Sequence, residues 1–172
     1  MLRRAVMLAT AMALAVAAPA MAHDRKAELR QLVFEVCPKV LAGTVSLADP
    51  TQVAALGFAP TAPRDTPGGK LPRAEKGTGT DRIVLSSGPA TCSIWFGGPE
   101  NPTLAGSLVE EAFKAKFSGG GMPARLGDGT LVFIFNRKAE PSQTLSIFLA
   151  DAGGELDFRP ATTVVMISDK GK

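Results

Sequence analysis

The sequence predicts an α+β domain: a mainly antiparallel sheet of about five strands, with two or three helices packed on one face. Segments 24–41 and 101–117 repeat apolar residues at helical spacing, and five short runs in the second half are rich in β-branched residues. Only one helical segment separates those runs, an order typical of α+β rather than α/β proteins. The only two cysteines, Cys37 and Cys92, add one predicted disulfide.

The first 22 residues have the features of a cleaved secretory signal peptide. Arg3 and Arg4 precede an alanine-rich apolar run that ends in Ala-Met-Ala at residues 20–22, a pattern that signal peptidase accepts. The run is shorter than the roughly 20 apolar residues of a membrane span. We expect residues 1–22 to be removed and residues 23–172 to form a single periplasmic or secreted domain. The mature protein would then not be an integral membrane protein.

The charge balance argues against nucleic acid as a partner. The chain carries 19 basic and 16 acidic residues, and removal of Arg3 and Arg4 with the signal peptide leaves 17 and 16. A surface that attracts nucleic acid or an anionic membrane needs a clear basic excess. We therefore expect neither kind of partner.

Cys37 and Cys92 are expected to form a structural disulfide, because exported proteins fold in an oxidising compartment. In the chain-entropy treatment, a bridge between these positions is worth at most about 4 kcal/mol. The alternative is that Cys37 acts as a redox nucleophile. The chain has no C-x-x-C motif, and Cys37 lies toward the end of a helical segment, where the helix dipole opposes a thiolate.

Two predicted helices precede all of the predicted strands. Asp24 is a suitable N-cap and Gly43 a suitable terminator for an amphipathic helix over 24–41. Pro38 lacks an N–H group, so a kink or break is expected just before it. A second, short helix is predicted to begin after Asp49, with proline at its first position and glycine at its end.

Residues 58–81 show no periodicity and are rich in proline and glycine. We predict a long loop, since no part of this segment could bury an apolar face. Long loops within a domain often carry function, so a binding role and a role as a plain connector both stay open.

The second half of the chain contains five predicted strands and one further helix. The first two strands form a hairpin candidate around Gly88 and Pro89, and the last three follow the helix as a meander. Trp95 faces away from Cys92 in a regular strand and is expected in the core. The predicted strands cover 82–87, 91–96, 130–137, 144–150 and 162–168.

The stretch FSGGGMPARLGDGT, residues 117–130, contains the loose dinucleotide-binding pattern G-x-G-x-x-A. A phosphate-binding fingerprint leaves a strand and begins a helix, where free N–H groups face the ligand. Here the glycines follow a helix, whose free carbonyl oxygens repel phosphate. We therefore predict no nucleotide cofactor and interpret Gly119, Gly120 and Gly121 as a helix cap and turn.

Few residues could perform catalysis. The only histidine, His23, lies at the predicted mature N-terminus, so a histidine-based metal site or catalytic triad lacks its usual set of residues. Glu110 and Glu111 are adjacent on a helix, about 100° apart around its axis, and are interpreted as surface charges.

The acidic residues Asp151, Glu155 and Asp157 could surround a calcium ion, because glycines between them allow a tight loop. Their spacing does not match the calcium-binding loop pattern, and we interpret them as an ordinary turn. No catalytic, cofactor-binding or metal-binding residue is therefore predicted.

We expect a small, exported, non-catalytic domain that binds another envelope protein or a small ligand. One alternative is a small envelope hydrolase that uses carboxylates or Ser86 and Ser87. Another is an accessory subunit that docks through a sheet edge or through residues 58–81. An enzyme gathers polar residues around a deep pocket, whereas an interaction module presents an apolar patch or an open edge.

Overall fold

The structure, a computed structural model, describes residues 24–120, 122–137, 142–150 and 161–168. The predicted signal peptide and His23 lie outside the described residues, and so do Gly121 and the acidic residues of the predicted turn at 151–157.

A single antiparallel sheet of nine strands dominates the molecule. The strands are β1 (Ala59–Thr66), β2 (Gly69–Lys76), β3 (Ile83–Gly88), β4 (Thr91–Gly97), β5 (Ser118–Gly119), β6 (Ala124–Arg125), β7 (Leu131–Arg137), β8 (Gln143–Ala150) and β9 (Ala161–Ser168). Their order across the sheet is β1-β2-β3-β4-β9-β8-β7-β5, and β6 also pairs with β7. The predicted hairpin is β3 and β4, and the predicted meander is β7, β8 and β9, joined to the hairpin by the pairing of β4 with β9.

The predicted fold class, an α+β domain with about five strands, is therefore wrong. Four strands that the sequence pattern did not indicate, namely β1, β2, β5 and β6, enlarge the sheet to nine. The sheet, rather than the helices, makes up most of the regular structure of the described residues.

The segment 58–81, predicted as a long loop, mainly forms the hairpin of β1 and β2, in which Thr66 pairs with Gly69 across a two-residue turn. β1 is exposed along most of its length. Its pairing therefore rests on hydrogen bonds to β2 rather than on an apolar face, and such a strand leaves no periodic signal.

The first helical segment runs without a break through α1 (Arg25–Gln31), a π-helical turn (Leu32–Val36) and α2 (Cys37–Leu41). As predicted, Asp24 caps its beginning, accepting a hydrogen bond from the Ala27 amide at 3.1 Å. The predicted break does not occur; the helix instead widens into the π-helical turn before Pro38, which cannot donate to a carbonyl four residues back.

The remaining helices are α3 (Pro50–Ala55), α4 (Asn101–Lys114) and one 3₁₀ turn (Gly79–Asp81) between β2 and β3. Asp49 caps α3 by accepting hydrogen bonds from the amides of Gln52 and Thr51, and these bonds lower the pKa of its carboxyl group.

The inner face of the sheet is the face that the helices cover, and it contains the main core. α2 contacts β4 and β9, while α4 contacts β8 and β9. The predicted disulfide between Cys37 and Cys92 is present, with the two Cα atoms 5.5 Å apart, and it joins α2 to β4 inside this core. The inner-face residues are Ile83, Leu85, Cys92, Ile94, Phe96, Phe135, Leu145, Ile147, Val164 and Met166.

Trp95 is buried, as expected, but in a second and smaller cluster with Val84 and Ala161. Successive residues of a strand point to opposite faces, so this cluster lies on the outer face of the sheet, away from Cys92.

The end of α4 corrects the interpretation of the glycine stretch. The residue in the left-handed conformation is Lys116, with φ 63°, and no glycine caps this helix. The Lys116 amide donates to the Phe113 carbonyl and the Phe117 amide to the Ala112 carbonyl, both at 3.0 Å. These two bonds form a Schellman motif, which satisfies the free carbonyl groups before the glycines are reached.

Gly119 and Gly120 instead allow the chain to pass close over β7. A Cβ atom on Gly119 would lie 2.9 Å from the Ile134 carbonyl oxygen, and one on Gly120 would lie 2.2 Å from the ring of Phe135. Phe135 is fully buried, so its ring has no room to move away.

Candidate functional site

The outer face of the sheet is uncharged from β3 to β7. The strand registers align its side chains in three rows, and within the described residues no Asp, Glu, Lys or Arg occurs in any of them. Charged side chains begin only at β2, with Arg73 and Glu75. The rows are Val84-Trp95-Thr163-Phe148-Val132, Ser86-Ser93-Val165-Ser146-Ile134 and Thr91-Ile167-Thr144-Asn136.

Much of this face is accessible to solvent. Ile134 is 49% exposed and Ile167 is 39% exposed, while the side chains between them are partly exposed. We call this area the outer patch. It consists of Thr91, Ser93, Ile134, Thr144, Ser146, Phe148, Val165 and Ile167.

The two edges of the sheet offer few groups for pairing. β1 contains Pro60 and Pro63, which have no N–H to donate, and its register shifts between Thr61 and Arg64. At the other edge, β5 and β6 are only two residues long each. Short strands, prolines and bulges are features that oppose the addition of a further strand.

A charged cleft lies on the side of the molecule that carries α1. Its volume is about 300 Å³. The turn between β2 and β3 and the connection from β4 to α4 contribute the rest of its wall. The lining residues are Arg25, Glu28, Lys76, Gly77, Asp81 and Glu100.

One ion pair in this cleft is short. Lys76 Nζ lies 2.6 Å from Glu28 Oε1, and this bond joins β2 to α1. Arg25 Nη1, in contrast, is 4.0 Å from Asp81 Oδ1, the outer limit of an ion pair. The Arg25 side chain is only 12% exposed, whereas that of Asp81 is 83% exposed.

The residues considered for catalysis are not gathered in one place. Ser86 is buried on the outer face of β3, and Ser87 is the next residue on the opposite face. Glu111 accepts hydrogen bonds from Lys114 at 2.7 Å and from Arg30 at 3.0 Å, and these bonds lower the pKa of its carboxyl group. Glu111 thus links α4 to α1, a structural role, while Glu110 is exposed.

Both cysteines are buried and bonded to each other, so the structure gives Cys37 no accessible thiol. Among the described residues there is no group of three or more His, Cys, Asp and Glu side chains placed to hold a metal ion. No helix in the described ranges is long and apolar enough to cross a membrane.

The fold and these surfaces define a disulfide-bonded antiparallel sheet domain with helices on one face; the opposite face is uncharged over the described residues from β3 to β7. Comparison with protein-family models, with curated protein sequences and with solved structures finds no match for this chain.

Sequence reasoning missed both surfaces. The predicted strands alternate serine and threonine with aliphatic residues. If the order of the strands in the sheet had been known, this alternation would have indicated the outer patch. The cleft had no such signal, since its residues come from three separate segments of the chain.

Proposed function

We propose that this chain is a small, exported, non-catalytic domain that binds another envelope protein through the outer patch. The observation that carries this proposal is the absence of charge from three rows of side chains across the described strands β3 to β7, with Ile134 and Ile167 exposed among them. Exposed apolar side chains grouped on one surface mark interaction sites.

The chemistry of the patch also restricts its partner. A charged surface that docked here would lose its hydration and meet no opposite charge, which is unfavourable. The serine and threonine hydroxyls of the patch can pair with hydroxyl or amide groups. The expected partner is therefore an envelope protein with an uncharged surface of apolar, hydroxyl and amide side chains.

Export to the periplasm or to the outside of the cell is part of the same proposal. The features of residues 1–22 support it, and a disulfide buried in the core is compatible with an oxidising compartment.

The test uses the full precursor with a C-terminal tag, isolated from the periplasm under gentle conditions. Ile134→Lys and Ile167→Lys place a charge in the patch. Leu126→Lys is the matched control, because Leu126 is 47% exposed and lies outside the three rows. Native mass spectrometry of each sample reads the cleavage site, the disulfide and any bound protein.

The expected result is a stoichiometric partner that is retained by the wild type and by Leu126→Lys and lost from both patch variants. Loss from the control as well would place the contact elsewhere and overturn the proposal. If the wild type is instead a dimer and the patch variants are monomers, then the partner at the patch is a second copy of this chain and not an envelope protein.

A further inference from the structure

Arg25 is a cation that the protein has largely removed from water without a matching anion. Its Nε and Nη2 atoms are buried, and neither has a hydrogen-bond partner in the described part of the chain. Among the described residues its one ion contact is with Asp81, at 4.0 Å. Burial of a charged group without compensating hydrogen bonds costs stability, so an arrangement of this kind calls for an explanation.

The surrounding backbone keeps space for the guanidinium group. Gly98 has φ 107°, and a Cβ atom there would lie 3.4 Å from Arg25 Nη1 and 3.0 Å from the Thr80 carbonyl oxygen. Gly77 has φ 75°, and a Cβ atom there would lie 2.5 Å from the Asp81 carbonyl oxygen. A side chain at either position would press on the residues around Arg25.

We propose that the cleft binds a small carboxylate whose molecule also carries a hydrogen-bond donor, with Arg25 as the carboxylate receptor. The Nε and Nη2 atoms form one edge of the guanidinium, and two parallel N–H groups on such an edge match the two oxygens of a carboxylate. The other basic residue that lines the cleft, Lys76, forms an ion pair with Glu28. Arg25 is therefore the lining residue that can bind an anionic ligand.

The donor on the ligand is required by the acidic residues of the cleft. Asp81 and Glu100 are exposed and line the same space. A ligand with only a carboxylate would be repelled by them, whereas an ammonium or hydroxyl group near its carboxylate would be attracted. Amino acids and hydroxy acids share this chemistry.

Binding requires a local rearrangement. Because Nε and Nη2 are covered by protein, the Arg25 side chain must turn toward the cleft before this edge can reach a ligand. The ion contact to Asp81 opposes this movement only weakly, because it is 4.0 Å long and the Asp81 carboxylate is mostly in water.

The experiment follows the Arg25 Nε–H signal and the backbone amide signals of the cleft residues Gly77 and Asp81 in the folded, disulfide-bonded protein by two-dimensional ¹H–¹⁵N NMR. Arg25→Lys assigns the Nε–H signal, and the two backbone amides report binding in that variant. The probes are alanine, lactate and propionate, which carry the same carboxylate with an ammonium group, with a hydroxyl group, and with neither. Arg30→Lys is the matched control, since Arg30 lies exposed on the same helix. Melting temperatures check that both variants fold.

We expect saturable shifts with alanine or lactate, and binding of propionate weaker by about tenfold. Arg25→Lys should weaken binding of the preferred probe by about tenfold or more, because lysine keeps the charge but loses the two-pronged geometry, while Arg30→Lys should leave it unchanged. Asp81→Asn with Glu100→Gln should remove the preference over propionate.

Absence of a saturable shift with all three probes would overturn the proposal. Equal binding of all three would overturn the requirement for a donor. If Arg25→Lys fails to fold, the wild-type titration and the Asp81→Asn, Glu100→Gln variant still decide the matter. None of these outcomes depends on the outer patch, which lies on the opposite face of the sheet.

Discussion

The two faces of the sheet are built from alternate residues of the same strands, yet they differ in composition and in what covers them. The inner face is apolar, covered by helices and crossed by the disulfide. The outer face, over the described residues from β3 to β7, combines hydroxyl-bearing and aliphatic side chains without charge. A register slip of one residue would exchange the faces, so the covered core also determines which side chains reach the solvent.

The largest expected effect concerns the disulfide that holds the helices on the inner face. The double substitution Cys37→Ala, Cys92→Ala should lower the free energy of unfolding by about 4 kcal/mol, mainly because the unfolded chain gains freedom. Urea unfolding followed by the fluorescence of Trp95, the only tryptophan, measures this loss. Reduction of the wild type should produce a similar loss, and an unchanged midpoint in both cases would contradict a structural role.

Substitution of one isoleucine on each face compares how much the two faces contribute to stability. Ile147 is fully buried on the inner face of β8, and Ile134 is half exposed on the outer face of β7. Ile147→Ala should cost about 3 kcal/mol of stability through the cavity it leaves. Ile134→Ala should cost less than about 1 kcal/mol. Equal losses in urea unfolding would mean that the outer face is as firmly packed as the inner one.

Gly120 tests how closely the chain passes over the inner-face residue Phe135. Gly120→Ala should lower the free energy of unfolding by about 2 kcal/mol, from the contact with the ring and from the positive φ of 70°. Gly106→Ala is the control, because a Cβ atom there would have no neighbour within 4 Å and the residue lies in helix α4. That substitution should raise stability by up to about 1 kcal/mol.

The smallest expected effect is a dependence on pH at the link between the two helices over the inner face. Hydrogen bonds from Lys114 and Arg30 lower the pKa of Glu111 below its usual 4.5. Its contribution is therefore fully present above that value and is lost as the pH falls through the lowered pKa. Glu111→Gln should reduce stability at neutral pH, and the difference from wild type should vanish in acid.

Chemical denaturation at several pH values measures this difference. Glu110→Gln, at an exposed position of the same helix, is the control. A Glu111 effect that stays constant down to strongly acidic pH would show that charge is not its cause.

The elements that the sequence predicted well are those that bury an apolar face. The helices and the five strands predicted in the second half all contribute to the inner core, so burial imposed a readable spacing on them. β1 has no such face and carries prolines, and β5 and β6 are too short for any pattern. The long loop predicted at 58–81 was an error of this kind, because hydrogen bonding to a neighbouring strand leaves no trace in composition.

Whether a functional surface could be predicted depended on how far apart in the sequence its residues lie. The disulfide was predictable because only two cysteines exist. The outer patch required the strand order, and the cleft required the first helix to lie beside two turns that come much later in the chain.

The prolines of β1 and the very short strands at the other edge also oppose aggregation of this domain through pairing of its edge strands. A sheet with open, regular edges can template the pairing of copy after copy into fibrils, and exposed aliphatic residues add to that hazard. Here Pro60, Pro63 and the register shift beside them interrupt one edge. These interruptions oppose the pairing of a further copy with β1, so growth of a continuous intermolecular sheet is disfavoured at this edge.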